Sequence, residues 1–453
     1  MGIRRVLIAN RGEIAVRIIK TCRELSIQTV LAASAPDRDS LPARLADRTL
    51  CIGPGRPSDS YLRADTLVHA ARAVQADALH PGYGFLSERA TLARLCEEHG
   101  VIFIGPTALQ IEAVGDKLRA RAAAQELDIP VVPGGAVNST DAALALAQRI
   151  GTPLLVKAAG GGGGRGMKRV DHLADLPAAI DLAASEAGAA FGDARVYLER
   201  FVAQGRHVEV QILGNGAGHV IHLGERDCSV QRRYQKLLEE SPAPALPQRL
   251  RERLHEAAVR FAQALAYRGA GTVEFLVEPQ GEAFYLLEMN ARIQVEHPVT
   301  EAVTGIDIVA EQLAIAGGAG LRLKQGDIAP RGWAIECRVN AEDPSRDFQP
   351  SPGVVSEVSW PSGPGLRVDT HIVPGAQIPP FYDSLMGKII AHGTDRPGTL
   401  EQLRRAIAAT RLSGVASNLS LHAKVLADPE FEAGGVDTGF LPRLIERTAG
   451  ARS

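Results

Sequence analysis

Short apolar runs recur through the first hundred residues, separated by amphipathic stretches, and that alternation leaves the chain few architectures. Val6 to Ala9 is apolar throughout, the next stretch carries Ile14, Ile18, Cys22 and Leu25 on one helical face, and Thr29 to Ala33 is apolar again. Ala76 to His80 and Val101 to Ile104 continue the rhythm. Strands joined through helices predict a parallel α/β sheet. The first turn reads Asn10-Arg11-Gly12-Glu13 and lacks the dinucleotide fingerprint, so the layering is Rossmann-like without a nicotinamide.

The 453 residues suffice for about three domains. A helix through Leu109 and Val114 ends near Gly115-Asp116-Lys117, and Ile129 to Gly134 reads as a connector. The expected division is 1–115, a Rossmann-like domain; 116–330, with a mobile lid over about 133–203; and 331–446, strand-rich first and helical at its end. A formal net charge of −2 gives no global basic field, so neither nucleic acid nor an anionic membrane is an expected partner. No apolar run approaches the roughly 18 residues of a membrane helix, and the opening residues are too short for a signal peptide. Five scattered cysteines without Cys-x-x-Cys spacing argue against a disulfide framework or zinc knuckle and for a cytoplasmic location. Only eight of the 50 basic residues are lysines, among them Lys117, Lys157, Lys236 and Lys388.

Chemistry concentrates in Glu288-Met289-Asn290-Ala291-Arg292-Ile293-Gln294-Val295-Glu296-His297-Pro298. Gly271 to Val277 and Ala283 to Glu288 read as two strands around a turn-rich break. With the turn centred near Gly281, Glu274 lies opposite Glu288, and alternation puts Asn290 on the same side. Three hard oxygen donors then converge, a set suited to magnesium rather than zinc. Pro153 to Ala159, the glycines Gly160 to Gly164, and Met167 to Val170 read as strand, glycine loop, strand: a flap over phosphates, with Lys157 beside it. Glu199 is expected on an edge strand, free to take an adenine amino group. Glu225 to Lys236 is polar enough for a solvated loop, with Lys236 a candidate γ-phosphate contact. Cys22 is expected in the core, and Cys228 is a poor candidate for catalysis.

Together these segments resemble the ATP-grasp fold, and more narrowly the biotin carboxylase subunit of acetyl-CoA or acyl-CoA carboxylase. The resemblance spans nearly the whole chain, through Ile8-Ala9-Asn10-Arg11-Gly12-Glu13-Ile14-Ala15, His80-Pro81-Gly82-Tyr83-Gly84-Phe85-Leu86-Ser87-Glu88, Glu225-Arg226-Asp227-Cys228-Ser229 and Glu336-Cys337-Arg338-Val339-Asn340-Ala341-Glu342-Asp343-Pro344. It implies a Rossmann-like N-terminal domain, an ATP-grasp domain with a glycine-rich lid and a strand-rich C-terminal domain. The implied activity is ATP- and bicarbonate-dependent carboxylation of carrier-bound biotin through carboxyphosphate, the first half-reaction of the carboxylase.

By the same resemblance, Lys117, Lys157, Gly162, Gly163, Gly164, Met167, Glu199, Arg200, Val202, His207, Gln231, Tyr234 and Leu276 hold the nucleotide, with Lys236 on its phosphates. Glu274, Glu288 and Asn290 hold Mg²⁺ or Mn²⁺; Arg292, Gln294 and the Val295 N–H bind bicarbonate; Glu296 is the base; and Arg338 stabilises the enolate of the biotin ureido group. Pro42 and Tyr234 stand where the family often has histidine, and Asp437-Thr438-Gly439-Phe440-Leu441 follows the acyl-CoA carboxylase style. No lysine sits in a Met-Lys-Met frame, so a separate biotin carboxyl carrier protein and a carboxyltransferase are the implied partners, and a homodimer the implied state. Two alternatives remain open from the residues: another ATP-grasp carboxylate ligase, and a nucleotide-bound assembly subunit without turnover.

Overall fold

The computed structural model describes residues 2–160, 167–279 and 283–450. Gly162, Gly163 and Gly164, and the expected hairpin turn at 280–282, lie outside the described residues.

Five parallel strands form the first sheet, in the order Arg48–Cys51, Gln28–Ala33, Arg5–Ile8, Ala78–His80, Ile102–Phe103. Val6, Leu7 and Ile8 are fully enclosed, each contributing roughly 2 kcal/mol relative to exposure. Strand order reverses at Arg5–Ile8, so the loops after it and after Ala78–His80 meet at the carboxyl ends of the strands, the place where α/β sheets bind ligands. The Asn10 amide joins these loops by donating to the carbonyls of Pro81 and Tyr83, both at 2.7 Å.

A second sheet of eight strands runs Phe284–Asn290, Arg268–Val277, Arg206–Asn215, Val220–Arg232, Gln235–Ser241, Trp333–Asn340, Leu385–Gly393, Leu366–Thr370. It crosses the expected 330/331 division without a break, since Gln235–Ser241 pairs directly with Trp333–Asn340. The helix Gln248–Ala264 packs Leu250, Leu254 and Phe261 against the sheet, as its apolar stripe predicts. The lid is a smaller antiparallel sheet, Gly134–Ala136, Val196–Arg200, Leu154–Ala158, Lys168–Val170, with helices Thr140–Ile150 and Leu176–Phe191 around their own apolar core.

Two expectations need correction, and one helix was not anticipated. The segment 225–236 is a hairpin rather than a loop: Val220–Arg232 turns through Arg233 and Tyr234, both at positive φ, into Gln235–Ser241. The strand bearing Glu199 is interior, flanked by Gly134–Ala136 and Leu154–Ala158, so Glu199 has no open sheet edge. A second helix, Lys117–Glu126, lies between the helix through Leu109 and Val114 and the expected connector at 129–134, and Asp116 caps it by accepting from the N–H groups of Leu118 and Arg119.

Candidate active site

Cross-strand register builds the site. Arg226, Glu209, Glu274 and Glu288 stand directly opposite one another on four adjacent strands, forming one row across the sheet. Like charges placed opposite each other destabilise a sheet. Three neighbouring carboxylates therefore persist only because cations meet each of them.

Arg226 is fully buried and satisfied by Glu209 at 2.6 Å, Gln211 at 2.7 Å, Thr300 at 2.9 Å and Thr272 at 3.2 Å. Lys236 donates to Glu209 at 2.5 Å, Glu296 at 2.7 Å and Glu274 at 2.9 Å. His207 Nε2 lies 3.1 Å from Glu274, and its Nδ1 meets the Gln231 amide at 2.9 Å. Lys117, at the first position of its helix, pairs with Glu288.

Burial opposes the charged form of these groups, yet the lattice of opposite charges wins. Glu274 is held far below the usual carboxylate range by Lys236 and His207 against the cost of its burial, and Lys236 is held well above the usual lysine value by Glu209, Glu274 and Glu296. Glu296, fully buried, accepts from Lys236 on one oxygen and from Arg338 Nη2 at 2.8 Å on the other. Burial would raise its pKa, but Lys236, Arg338 and Arg226 outweigh it and hold Glu296 well below the usual range.

The donor set fits a hard divalent cation. Glu274 and Glu288 face each other, the Asn290 amide reaches Glu274 at 2.9 Å, and no sulfur belongs to the trio. Arg292 is aimed by neighbours on three sides: Glu88 at 2.9 Å, the Gln294 side-chain oxygen at 2.8 Å and Asn290 Oδ1 at 2.9 Å. Arg338 is held from behind by Glu239 at 2.6 Å. Cys228 is buried, and burial pushes its thiol well above the usual range, which leaves it unreactive. Cys22 lies in the core as expected.

Lys157 of the lid and Arg121 of the helix Lys117–Glu126 both meet the Glu199 carboxylate, each at 2.5 Å. That carboxylate orients the lysine and is occupied in doing so. Arg200 ties the lid to the hairpin through Glu278 at 3.0 Å and the Tyr285 hydroxyl at 3.1 Å. Met167, Val202 and Leu276 are half-buried, Leu276 being the cross-strand partner of His207, whereas Tyr234 is 55% exposed at its turn. A cleft of about 450 Å³ opens between Arg121, Gly134, Arg149 and Arg200, and none of the carboxylate row lines it. A smaller one, about 100 Å³, lies between Arg11, Glu13, Tyr83 and Asp383.

Sequence reasoning assigned no role to Glu88, Glu209, Arg226 or Glu239. The available signal was the charge in Arg206–Asn215 and the run Glu225-Arg226-Asp227 in Val220–Arg232, which a solvated segment would share.

Two strand-built carboxylates facing lysines, beneath a lid carrying another lysine, define an ATP-grasp enzyme. Residues 116–324 match the ATP-binding domain of the carbamoyl-phosphate synthase L chain, residues 2–111 the biotin carboxylase N-terminal domain, and residues 336–443 the biotin carboxylase C-terminal domain. The chain belongs to the biotin carboxylase family. It is 49% identical to biotin carboxylase of Nostoc sp. over 97% of its length and 99% of the relative's, and 47% identical to biotin carboxylase 1 of Bacillus subtilis over 97% and 98%. Its fold superimposes with a TM-score of 0.95 on the biotin carboxylase domain dimer of Hydrogenobacter thermophilus 2-oxoglutarate carboxylase in complex with MgADP, ADP and bicarbonate, at 42% identity, covering 98% of this chain and 99% of that one. The TM-score is also 0.95 with the biotin carboxylase–β,γ-ATP complex of Campylobacter jejuni, at 43% identity, covering 97% and 99%.

Proposed function

We propose that this chain carboxylates biotin on a carrier protein, consuming ATP and bicarbonate through carboxyphosphate. The observation that carries this reading is Glu296, one carboxylate gripped by Lys236 on one oxygen and by Arg338 on the other, at 2.7 and 2.8 Å.

Arg292, Gln294 and the Val295 N–H bind bicarbonate, the guanidinium fork matching a planar oxyanion. Glu296 accepts the bicarbonate proton as the bicarbonate oxygen attacks the γ-phosphorus and the bond to ADP breaks. Lys236 and Lys117 turn toward the phosphates, and as Lys236 leaves Glu296 the carboxylate becomes a stronger base. A divalent cation held by Glu274, Glu288 and Asn290 would neutralise charge on the transferring phosphoryl group. Carboxyphosphate then yields CO₂ and phosphate; the phosphate takes the ureido N–H proton, and the biotin nitrogen attacks CO₂. Arg338, fixed by Glu239, meets the negative charge developing on the ureido oxygen. Lys157, His207, Gln231 and the lid enclose the nucleotide and exclude water.

The remaining assignments belong to the same proposal. The three-part division 1–115, 116–330 and 331–446 agrees in outline with the spans of the three family matches. A biotin carboxyl carrier protein and a carboxyltransferase are the partners, a homodimer the working state and the cytoplasm its location; among the described residues no helix is long and apolar enough to cross a membrane. Phosphate release from Mg·ATP, measured with and without bicarbonate and free biotin in CO₂-depleted buffer, tests the function. Release that requires bicarbonate and rises with biotin is expected; bicarbonate-independent release would refute it.

A further inference from the structure

Lys388 lies on strand Leu385–Gly393 with none of its surface exposed, and a buried ammonium must be paired and hydrogen-bonded. Its partners come from other parts of the chain. Nζ donates to the Val295 carbonyl at 2.7 Å and sits 3.1 Å from Glu13 Oε1, with Asp369 at 4.0 Å. In the sheet register Lys388 is directly opposite Arg338, which donates to Glu296 at 2.8 Å. Two neighbouring cations on adjacent strands thus hold one dipeptide, Lys388 by the Val295 carbonyl and Arg338 by the Glu296 side chain.

The anchor reaches further. Glu13 follows the first parallel strand and accepts from the Tyr83 hydroxyl, while its second oxygen has no partner among the described residues. Burial pushes the pKa of Lys388 down, but Glu13, Glu336 and Asp369 outweigh it and hold it above the usual lysine value. The ammonium therefore persists at neutral pH.

We propose that Lys388 is a positioning residue for bicarbonate deprotonation, fixing the Val295–Glu296 peptide so that the Val295 N–H and the Glu296 carboxylate address the same anion. The proposal rests on the reading of Glu296 as the base. A compact ammonium can serve a carbonyl and a carboxylate at once in a closed space, whereas a guanidinium needs a wider planar slot.

The test compares the parent with K388M and with the double variant E13Q/K388M, which removes both charges of the pair together so that Glu13 is not left without its ammonium. Bicarbonate-dependent ADP formation gives kcat and both KM values, and a fluorescent nucleotide analogue reports binding independently. The double variant is expected to fold, bind the analogue like the parent, raise the bicarbonate KM about tenfold and lower kcat by a similar factor, with the ATP KM within about twofold. Parent-like bicarbonate parameters in the folded double variant would overturn the proposal, as would both KM values rising together, the mark of a purely structural role. E296Q is assayed alongside: if it keeps its turnover, the base assignment itself has failed, whereas an inactive E296Q beside a fully active E13Q/K388M confines the failure to Lys388.

Discussion

Replacing Glu296 by Gln tests the centre of the mechanism because the structure separates its chemical cost from its structural one. Gln is isosteric but cannot take a proton at neutral pH. Removing a buried negative charge usually strands its cations at a cost of several kcal/mol. Here each cation keeps another partner, Lys236 with Glu209 at 2.5 Å and Glu274 at 2.9 Å, and Arg338 with Glu239 at 2.6 Å. The fold and ATP binding should therefore survive, with the unfolding midpoint shifted by no more than a few degrees. Loss of a positioned general base costs about 10²–10⁴-fold in rate, or roughly 3–5 kcal/mol of barrier. The assay is ADP formation at saturating Mg·ATP, titrated with bicarbonate, beside direct nucleotide binding. Bicarbonate-dependent turnover within about threefold of the parent would remove Glu296 as the base. Loss of nucleotide binding would show that its role is to hold Lys236.

Replacing Glu288 by Gln should raise the magnesium requirement for ATP use at least about tenfold, the low end for residues that merely support a metal ligand; an unchanged magnesium titration would exclude it from the metal site. Glu88→Gln loosens Arg292 by a charge-assisted hydrogen bond worth about 1.5 kcal/mol, so the bicarbonate KM should rise roughly tenfold while the ATP KM stays fixed. Glu225 is drawn down to about 2 because His255 and Arg251 outweigh the cost of its burial. A depressed carboxylate stabilises above its unfolded pKa and loses that contribution as pH falls toward the folded value. Roughly 3 kcal/mol should therefore begin to disappear below about pH 4.5, and Glu225→Gln, less stable at neutral pH, should show a flatter decline in urea midpoint between pH 5 and 3. An equal slope in both proteins would contradict this.

Four of the five strands of the first sheet were legible because their central residues are apolar and buried; Arg48–Cys51, a largely exposed edge strand that opens on Arg and Thr, was not. The Glu274 and Glu288 pairing was legible for a narrower reason. A symmetric turn at Gly281 gives the correct register at the carboxylates, but nearer the turn the pairing is offset by one, with Leu276 opposite Tyr285, and an extra residue at Leu287 restores it. The hairpin carrying Arg226 was illegible because its charges imitate solvent exposure. Their partners, Glu209, Thr272 and Thr300, lie far away in sequence. The interior place of Glu199 was hidden by the lid's strand order, which inserts a late strand between two early ones. Lys117–Glu126 was missed because its Ala- and Arg-rich sequence shows no broad apolar stripe.

The charge lattice also explains why Glu288, more than its neighbours, calls for a metal. When Lys236 turns to a phosphate, the carboxylates it leaves keep other partners: Arg226 for Glu209, His207 and the Asn290 amide for Glu274, and Arg338 for Glu296. Lys117 is the one cation paired with Glu288 among the described residues. With Lys117 serving the nucleotide as proposed, Glu288 would be a half-buried anion beside the phosphates, an arrangement that is unfavourable without a compensating positive charge. The sheet therefore concentrates its unmet demand for a cation at the end of the row that also carries Asn290, and the oxygen-only chemistry of that corner suits magnesium better than a further lysine or a thiophilic ion.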